Sequence, residues 1–376
     1  MPMLTETQEM IRDQIRGYVQ SEIRPRSIEF EAAGGYPPEI FAELGEMGLL
    51  GMVAPEEFGG AAADNVSYAL ALIEVAAADG ALSTIVSIQN SIMVGGILKD
   101  GSPAQREKYL PRLISGEMIG AFALTEPDAG SDASAIRTRA QRVEGGWKLD
   151  GTKQFITSGR IAGVVMVIAV TDPEAGKKGI SAFLVDTGTP GYAVDKVEHK
   201  LGQAASDTCA IRFEEMVIPQ DALLGEEGQG YRIALSNLET GRIGIAAQCV
   251  GMAQAAFEFA ADYAKGRISF GKPIAQHQAV GFRLADMATQ LEAARQLVLS
   301  AARLKDAGVP CLTEASMAKL FASEMVEAVV SGAIQTLGGY GYLEEYGLAK
   351  IYRDQRVCQI YEGTSDIQRM VIARSL

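Results

Sequence analysis

Trp147-Lys-Leu-Asp-Gly-Thr-Lys-Gln-Phe-Ile-Thr157 decides how this chain of 376 residues divides. Apolar and aromatic residues flank Asp150-Gly151, a dipeptide that tolerates the positive φ of a tight hairpin. Trp147–Leu149 and Gln154–Thr157 therefore read as two paired strands. Working outward, Val164–Val170, Ile180–Val185 and Cys209–Phe213 are further runs of β type bounded by turn residues. From Ile119 to about residue 218 the chain reads as a β domain.

Both flanks read differently. Thr5 and Gln8 have the spacing of a capping box, and Ile11, Ile15, Val19 and Ile23 follow on one face until Pro25. A second helix follows Pro37-Pro38, an alanine-rich third covers roughly 64–79, and Ser102-Pro103 with Gln105 opens another that ends near Gly116. Beyond the GEEGQG segment (225–230), read as a flexible turn between domains, the chain turns helical again. Arg242–Lys265 forms one long helix, and Leu284, Met287, Leu291 and Ala294 mark a face of the next. Thr313 opens a third that stops at Gly338-Gly339, and Ser365 with Gln368 caps a short last one. The expected fold is α+β in three domains: an N-terminal α-helical domain over 1–118, a middle β-barrel or sandwich over 119–228, and a C-terminal four-helix bundle over 229–376.

The composition removes several kinds of chemistry. A net charge of −13, from 34 basic and 47 acidic residues, argues against a nucleic-acid binder, whose affinity rests on cations at phosphates. The apolar run Ile161–Val170 is too short for a membrane span. The N-terminus MPMLTETQEM lacks the basic and apolar regions of a secretory signal. Cys209, Cys249, Cys311 and Cys358 stand apart with no CxxC, which suits a reducing compartment. The expected location is the bacterial cytoplasm, or a mitochondrial matrix for a processed form. His199 and His277 are the only histidines; they lie too far apart for an HExxH zinc site, neither supplies the Glu-x-x-His pair of a di-iron bundle, and they are unpromising for a Ser–His–Asp hydrolase. No P-loop and no strand-borne GxGxxG is present. Acid–base work must fall to carboxylates or tyrosines, and redox work to a cofactor.

Two segments carry a family resemblance: Phe122-Ala-Leu-Thr-Glu-Pro-Asp-Ala-Gly-Ser-Asp132 and Gln359-Ile-Tyr-Glu-Gly-Thr-Ser-Asp-Ile-Gln-Arg369. Both resemble signature regions of the acyl-CoA dehydrogenase family. Arg267-Ile-Ser-Phe-Gly-Lys-Pro, His277-Gln278 and Gln335-Thr-Leu-Gly-Gly-Tyr-Gly match further family motifs in order, so the resemblance covers nearly the whole chain.

The resemblance implies FAD as cofactor. Phe122, Leu124, Thr125, Gly130 and Ser131 would contact it, with Ser131 also near the acyl-CoA; Phe155, Ile156 and Thr157 would line the flavin. Many relatives carry tryptophan at the position of Phe155. Arg267, Phe270, Gln278, Gln335 and Gly339 resemble residues that hold the pyrophosphate and adenosine, some of them supplied in the family by a neighbouring subunit. Read by itself, Arg267 could equally close a helix C-terminus. The implied assembly is a homo-oligomer, typically a tetramer or dimer, that passes electrons to an electron-transfer flavoprotein.

The implied reaction converts a saturated acyl-CoA to the trans-2-enoyl-CoA. Glu362 would take the α-proton and flavin N5 the β-hydride, while the Glu362 N–H and a ribityl hydroxyl hold the enolate oxygen. Read by itself, Glu362 is also a favourable charge ahead of a helix N-terminus. Some branched- and long-chain members carry the glutamate just before the arginine at Arg242, where this chain has Gly241. Arg242 would orient substrate, Glu239 would bond the CoA moiety, and Tyr361 would line the thioester pocket. Gly363 would let the backbone approach, and Thr364 would bond flavin or phosphate. Ser83–Ser91 would form the floor of the acyl pocket, in a pattern nearest to short straight or short branched chains. An oxygen-using acyl-CoA oxidase and a non-catalytic helical interaction protein remain as alternatives.

Overall fold

Capping chemistry sets the helices of the first third in the computed structural model, which describes residues 4–376. Thr5 Oγ1 accepts from the Gln8 N–H, and the Gln8 side chain accepts from the Thr5 N–H, opening α1 (Glu6–Tyr18). Pro25 does not end this helix as expected. The chain winds through a π turn (Val19–Ile23) and a 3-10 turn (Arg24–Arg26) into α2 (Ser27–Ala33). Pro25 sits in the first turn of the 3-10 segment, where a missing N–H costs little. Then follow α3 (Pro38–Glu46), α4 (Asn65–Ala78), α5 (Gly80–Ile88), a π turn (Gln89–Val94), α6 (Gly95–Asp100) and α7 (Pro103–Ile114). Ser102 and Gln105 form the capping box expected for α7.

The middle of the chain is one eight-stranded sheet. Its strands are β1 (Gly120–Ala123), β2 (Arg139–Val143), β3 (Gly146–Thr157), β4 (Val164–Val170), β5 (Ile180–Asp186), β6 (Tyr192–Val197), β7 (Thr208–Pro219) and β8 (Leu223–Leu224). They run in the order β6-β7-β3-β2-β4-β5-β8, with β1 parallel to β4. Both faces of β4 are buried. Val164, Met166 and Ile168 pack against α6, α7 and the following helical region, while Val165, Val167 and Ala169 face Trp147, Phe183 and Ile211. This explains why β4 reads as an unbroken apolar run rather than an alternation.

The expected hairpin at Asp150-Gly151 is not there. Trp147–Leu149 and Gln154–Thr157 belong to one strand, β3, which pairs along β7 with a register shift between Leu149 and Gly151. Gly151 has φ +149°, and a Cβ there would lie 2.6 Å from Thr138 Oγ1. The Asp-Gly signal thus marks a β-bulge. The true turn is Glu144-Gly145, which joins β2 to β3 with Gly145 at φ +84°.

The last third comprises α8 (Gly230–Gly266), the short pair β9 (Ile268–Ser269) and β10 (Lys272–Pro273), α9 (Gln278–Asp306), α10 (Leu312–Leu337), α11 (Leu348–Gln355) and α12 (Ser365–Ala373). Helix α8 begins at Gly230 rather than Arg242, because its first turns pack Ile233 and Ala234 into the cluster beneath β4 and β5. GEEGQG is accordingly no loose connector. The Gly228 N–H donates to Ser181 Oγ at 2.9 Å, and a Cβ on Gly230 would lie 2.3 Å from the Ser181 carbonyl carbon. Helix α10 starts at Leu312 after Cys311, one residue ahead of Thr313. The stretches 80–100 and 230–266 are long and apolar enough to cross a membrane by length and composition, and 83% of each apolar window lies inside the protein.

Helix α8 carries glycine where α4 crosses it. A Cβ on Gly251 would stand 2.1 Å from the Ile73 carbonyl oxygen and 2.8 Å from Ala76 Cβ. Gly251→Ala gains about 1 kcal/mol of helix propensity. Overpacking against immobile backbone costs about 1–3 kcal/mol or more, so the clash wins. The expected outcome is a lower melting temperature; an unchanged or higher one would show that α4 can yield.

Candidate active site

Between α11 and α12 the chain passes through a short loop that holds Glu362 at φ +52°. A side chain other than glycine in this region is strained by about 1–3 kcal/mol and stays only where its surroundings over-determine it. Gln368 Nε2 donates to the carbonyls of Glu362 (3.2 Å) and Gly363 (2.9 Å), and Lys319 Nζ donates to Gly363 O at 2.8 Å. Gln368 is thus occupied with the loop and does not complete a capping box. The N-cap of α12 is Thr364, whose Oγ1 accepts from the Ile367 N–H at 3.3 Å, and not Ser365 as expected.

The Glu362 carboxylate lies against the bare backbone of α8. A Cβ on Gly241 would fall 2.0 Å from Glu362 Oε2 and 2.8 Å from its carboxyl carbon. That oxygen is buried and has no hydrogen-bond partner. Burial pushes the Glu362 pKa up to about 7, and the charges of Lys319 and Arg242 offset only part of that shift. Arg242 is itself buried and held by a long contact from Nη1 to Ser316 Oγ at 3.4 Å, with Nε unpartnered. Burial lowers its pKa while Glu362 and Glu239 raise it. Tyr361 and Gly363 flank Glu362. Glu239 stands one turn before Arg242 on α8, partly buried, with the Cys311 thiol 3.9 Å from its Oε1.

A second group of the expected residues faces solvent from the middle domain. Gly130 has open space where a Cβ would be, Ser131 is exposed, and Phe122, Thr125 and Thr157 are half-buried. Phe155 is 63% exposed and left-handed at φ +59°. Leu124 and Ile156 are buried in the apolar clusters on either side of β4, so a ligand in the open would meet their backbone rather than their side chains. The segment is fixed from below. Lys153 Nζ, fully buried, donates to Leu124 O at 2.9 Å and to Glu126 Oε1 at 2.8 Å, and Glu126 accepts from the N–H groups of Arg137 and Thr138. Burial brings the Lys153 pKa down to about 8 against the pull of Glu126.

A third group splits. Arg267, Gln335 and Gly339 line one cavity of about 390 Å3 with Tyr263, Gly338 and Tyr340. The Arg267 backbone N–H also donates to Tyr263 O at the end of α8, a bond that any residue but proline could make. Phe270 and Gln278 are not in this lining and remain exposed, Phe270 to 94%.

Comparison with known proteins bears on what this arrangement is. Family models for the N-terminal, middle and C-terminal domains of acyl-CoA dehydrogenase match residues 5–117, 121–216 and 228–376. The chain belongs to the acyl-CoA dehydrogenase family. An acyl-CoA dehydrogenase of Bacillus subtilis is 46% identical over 99% of this chain and 98% of its own. The mitochondrial short-chain specific acyl-CoA dehydrogenase of Bos taurus is 45% identical over 99% of this chain and 90% of its own. Among solved structures, butyryl-CoA dehydrogenase from Megasphaera elsdenii superposes with a TM-score of 0.97 at 40% identity, covering 99% and 98% of the two chains. A chain solved in work on the electron transferring flavoprotein of Acidaminococcus fermentans gives 0.98 at 40% identity, covering 100% and 99%. A glutaryl-CoA dehydrogenase from Mycobacterium smegmatis in complex with FADH2 gives 0.94 at 33% identity, covering 99% and 95%.

Within this acyl-CoA dehydrogenase fold, the residues that shape the site include several that the sequence does not advertise. Lys319 reaches the Glu362 loop at Gly363 O, and Lys153 reaches the 122–131 segment, only through tertiary contacts. One signal exists for Lys319: it sits on the stripe Ala315, Ala318, Ala322 and Val326 of α10, where a lone lysine needs a partner. Gly241→Ala should leave α8 folded, since alanine favours helix, but displace the Glu362 carboxylate. The expected outcome is a fall in kcat of roughly a hundredfold with little change in melting temperature; wild-type kcat would contradict the contact.

Proposed function

We propose that this chain oxidises a saturated short-chain acyl-CoA thioester to the trans-2-enoyl-CoA, with Glu362 as the base at the α-carbon. The observation that carries the reading is the buried, unpartnered Oε2 over Gly241 with its pKa near 7. A carboxylate stripped of donors binds a proton tightly enough to compete for a weakly acidic C–H, yet is about half ionised at neutral pH. The α-proton passes to Glu362 Oε2. Tyr361 lines the thioester pocket, Gly363 lets the backbone approach, and the Glu362 N–H holds the thioester oxygen as charge develops on it. Arg242 offers its free Nε to orient the substrate, and Glu239 meets the CoA moiety.

The chain's residues fit FAD. Gly130 and Gly339 leave space where side chains would block a ligand, and Phe155 presents an exposed ring. Arg267 and Gln335 supply a fixed charge and an amide to one cavity. Phe122, Leu124, Thr125, Ser131, Ile156, Thr157 and Thr364 complete the set that would hold the isoalloxazine. FAD, when bound, supplies the acceptor for the β-hydride. Phe270 and Gln278 lie outside the cavity of their own chain, which supports a homo-oligomer, dimer or tetramer, in which a neighbour uses them. The flavoprotein named with the Acidaminococcus structure supports an electron-transfer flavoprotein as acceptor.

Two observations favour a short acyl chain. The similar proteins include short-chain and butyryl-CoA enzymes. Three residues on from Gly241, about 4.5 Å along α8, Ser87 Oγ and Tyr68 OH stand 2.4 and 3.1 Å from where a Gly244 Cβ would be. Hydroxyls so placed would limit the depth of an acyl pocket running along this face of α8. The same reading divides the chain at 118 and 228, and places it in a reducing compartment such as the bacterial cytoplasm, with all four cysteines as free thiols.

Glu362→Gln should bind FAD and acyl-CoA normally and lose nearly all turnover; a variant that retains activity would refute the assignment. In the wild type, activity requires ionised Glu362, so kcat/KM should fall about tenfold per pH unit below pH 7 and level off above it. A flat profile from pH 5 to 9 would contradict the raised pKa. Turnover with an artificial electron acceptor but not with oxygen alone separates the dehydrogenase from an oxidase.

A further inference from the structure

Behind Tyr361, four polar side chains close into a ring. The Tyr361 hydroxyl donates to Gln248 Oε1. Gln248 Nε2 donates to Thr84 Oγ1 at 2.7 Å, Thr84 Oγ1 donates to Gln203 Oε1 at 2.8 Å, and Gln203 Nε2 returns to the Tyr361 oxygen at 3.5 Å. The proton directions are forced. Gln248 Nε2 also reaches Gly80 O at 2.7 Å, and a carbonyl only accepts, so that end is the amide nitrogen and Oε1 must accept. Gln203 Nε2 likewise reaches Asp354 O at 3.1 Å, which leaves its Oε1 as the acceptor for the single Thr84 proton.

The ring joins parts of the chain that are far apart in sequence: α5, the β6–β7 connection, α8 and the Glu362 loop. It is also braced from outside. The Gln203 N–H donates to Asp354 Oδ1, and Asp354 pairs with Lys350 at 2.6 Å. Lys350 also reaches Asp79 at 3.4 Å, and Asp79 caps α5 by accepting from Ala81 and Leu82. Thr84, Gln203 and Gln248 are all buried, at 3%, 4% and 0% exposure.

We infer that Thr84, Gln203 and Gln248 are positioning residues that act through Tyr361 to hold Glu362 in its left-handed conformation, with the carboxylate on Gly241. The inference rests on Glu362 being the base. Burying three amide or hydroxyl side chains costs more than burying apolar ones unless every bond is made, and apolar residues would fill this volume as stably. What a closed directional ring adds is a fixed place for the Tyr361 hydroxyl. Glu362 is the next residue, and its backbone is the strained one. A relaxed loop would return Glu362 to negative φ and carry its carboxylate away from the α-carbon.

The test is Thr84→Val, which replaces a hydroxyl by a methyl of the same shape and cuts two links. The expected result is a fall in kcat of roughly ten- to hundredfold. Because Thr84 lies in the 83–91 stretch expected to floor the acyl pocket, binding is read on Gln203→Met: its KM, and the calorimetric Kd of a non-reactive thioether analogue of the acyl-CoA, should stay within about threefold of wild type. Thr84→Ser, which keeps the hydroxyl, should recover most of the loss, and Gln203→Met, which breaks the ring elsewhere, should reproduce the kcat defect. An unchanged kcat in Thr84→Val would overturn the inference. So would parallel losses in kcat and analogue affinity in Gln203→Met, or a Thr84→Ser as impaired as Thr84→Val. If Thr84→Val does not fold, Gln203→Met is judged by the same criteria, and failure of both to fold assigns the ring to stability alone. Glu362→Gln run alongside keeps the two readings apart: activity in that variant removes the base assignment whatever the ring variants do.

Discussion

A carboxylate without a hydrogen-bond partner rests on a glycine in a buried helix, and much of the rest of the structure makes that contact possible. An isolated carboxylate is costly to bury as an anion, and the protein meets the cost by letting its proton affinity rise to the edge of neutrality. Two cations keep it from rising further. Lys319 is spent on the Gly363 carbonyl, and Arg242 stays largely unspent. That asymmetry matters, because a guanidinium paired to Glu362 would hold it well below neutral pH and remove it as a base.

The contact draws on all three regions of the chain. Helix α8 runs from the underside of β4 and β5 into the helical core, so Gly241, Gly244, Gln248 and Gly251 lie along one rod that touches each region. The glycines let neighbours approach its backbone: Glu362 at 241, Ser87 and Tyr68 at 244, α4 at 251. Gln248 is the polar member of this row, and it faces Tyr361. The middle domain contributes a rigid surface through the Lys153–Glu126 pair, which orders the 122–131 segment from inside. Such a buried pair is weak evidence for stability. Its value here is that it fixes which backbone groups point outward.

How much of this was legible in the sequence varies with the reach of the forces involved. The capping boxes at Thr5 and Ser102 were legible because both partners are three residues apart. Strand β4 was legible because burial on both faces leaves an unbroken apolar run. Strand β2 was not, since only Ala140 of its five residues is buried. Asp150-Gly151 misled because a bulge asks for the same permissive backbone as a hairpin turn, and only the β7 partner tells them apart. Motifs pointed to Glu362, Arg267 and Gln335, and in the fold the last two share one cavity. Gln203, Gln248, Lys319 and Lys153 were not, for each acts on a partner brought near only by folding. Thr364 was read as a ligand contact, and in the fold its hydroxyl caps α12, a role that only the folded backbone reveals.

The central claim is that Glu362, seated on Gly241, removes the proton next to the thioester carbonyl. Exchange of the acyl-CoA α-hydrogen with deuterated solvent, followed by proton NMR with no electron acceptor present, isolates that step from the rest of turnover. The account expects the wild-type protein to catalyse exchange and Glu362→Gln to show none above the solution rate. Exchange at the wild-type rate in Glu362→Gln would contradict it.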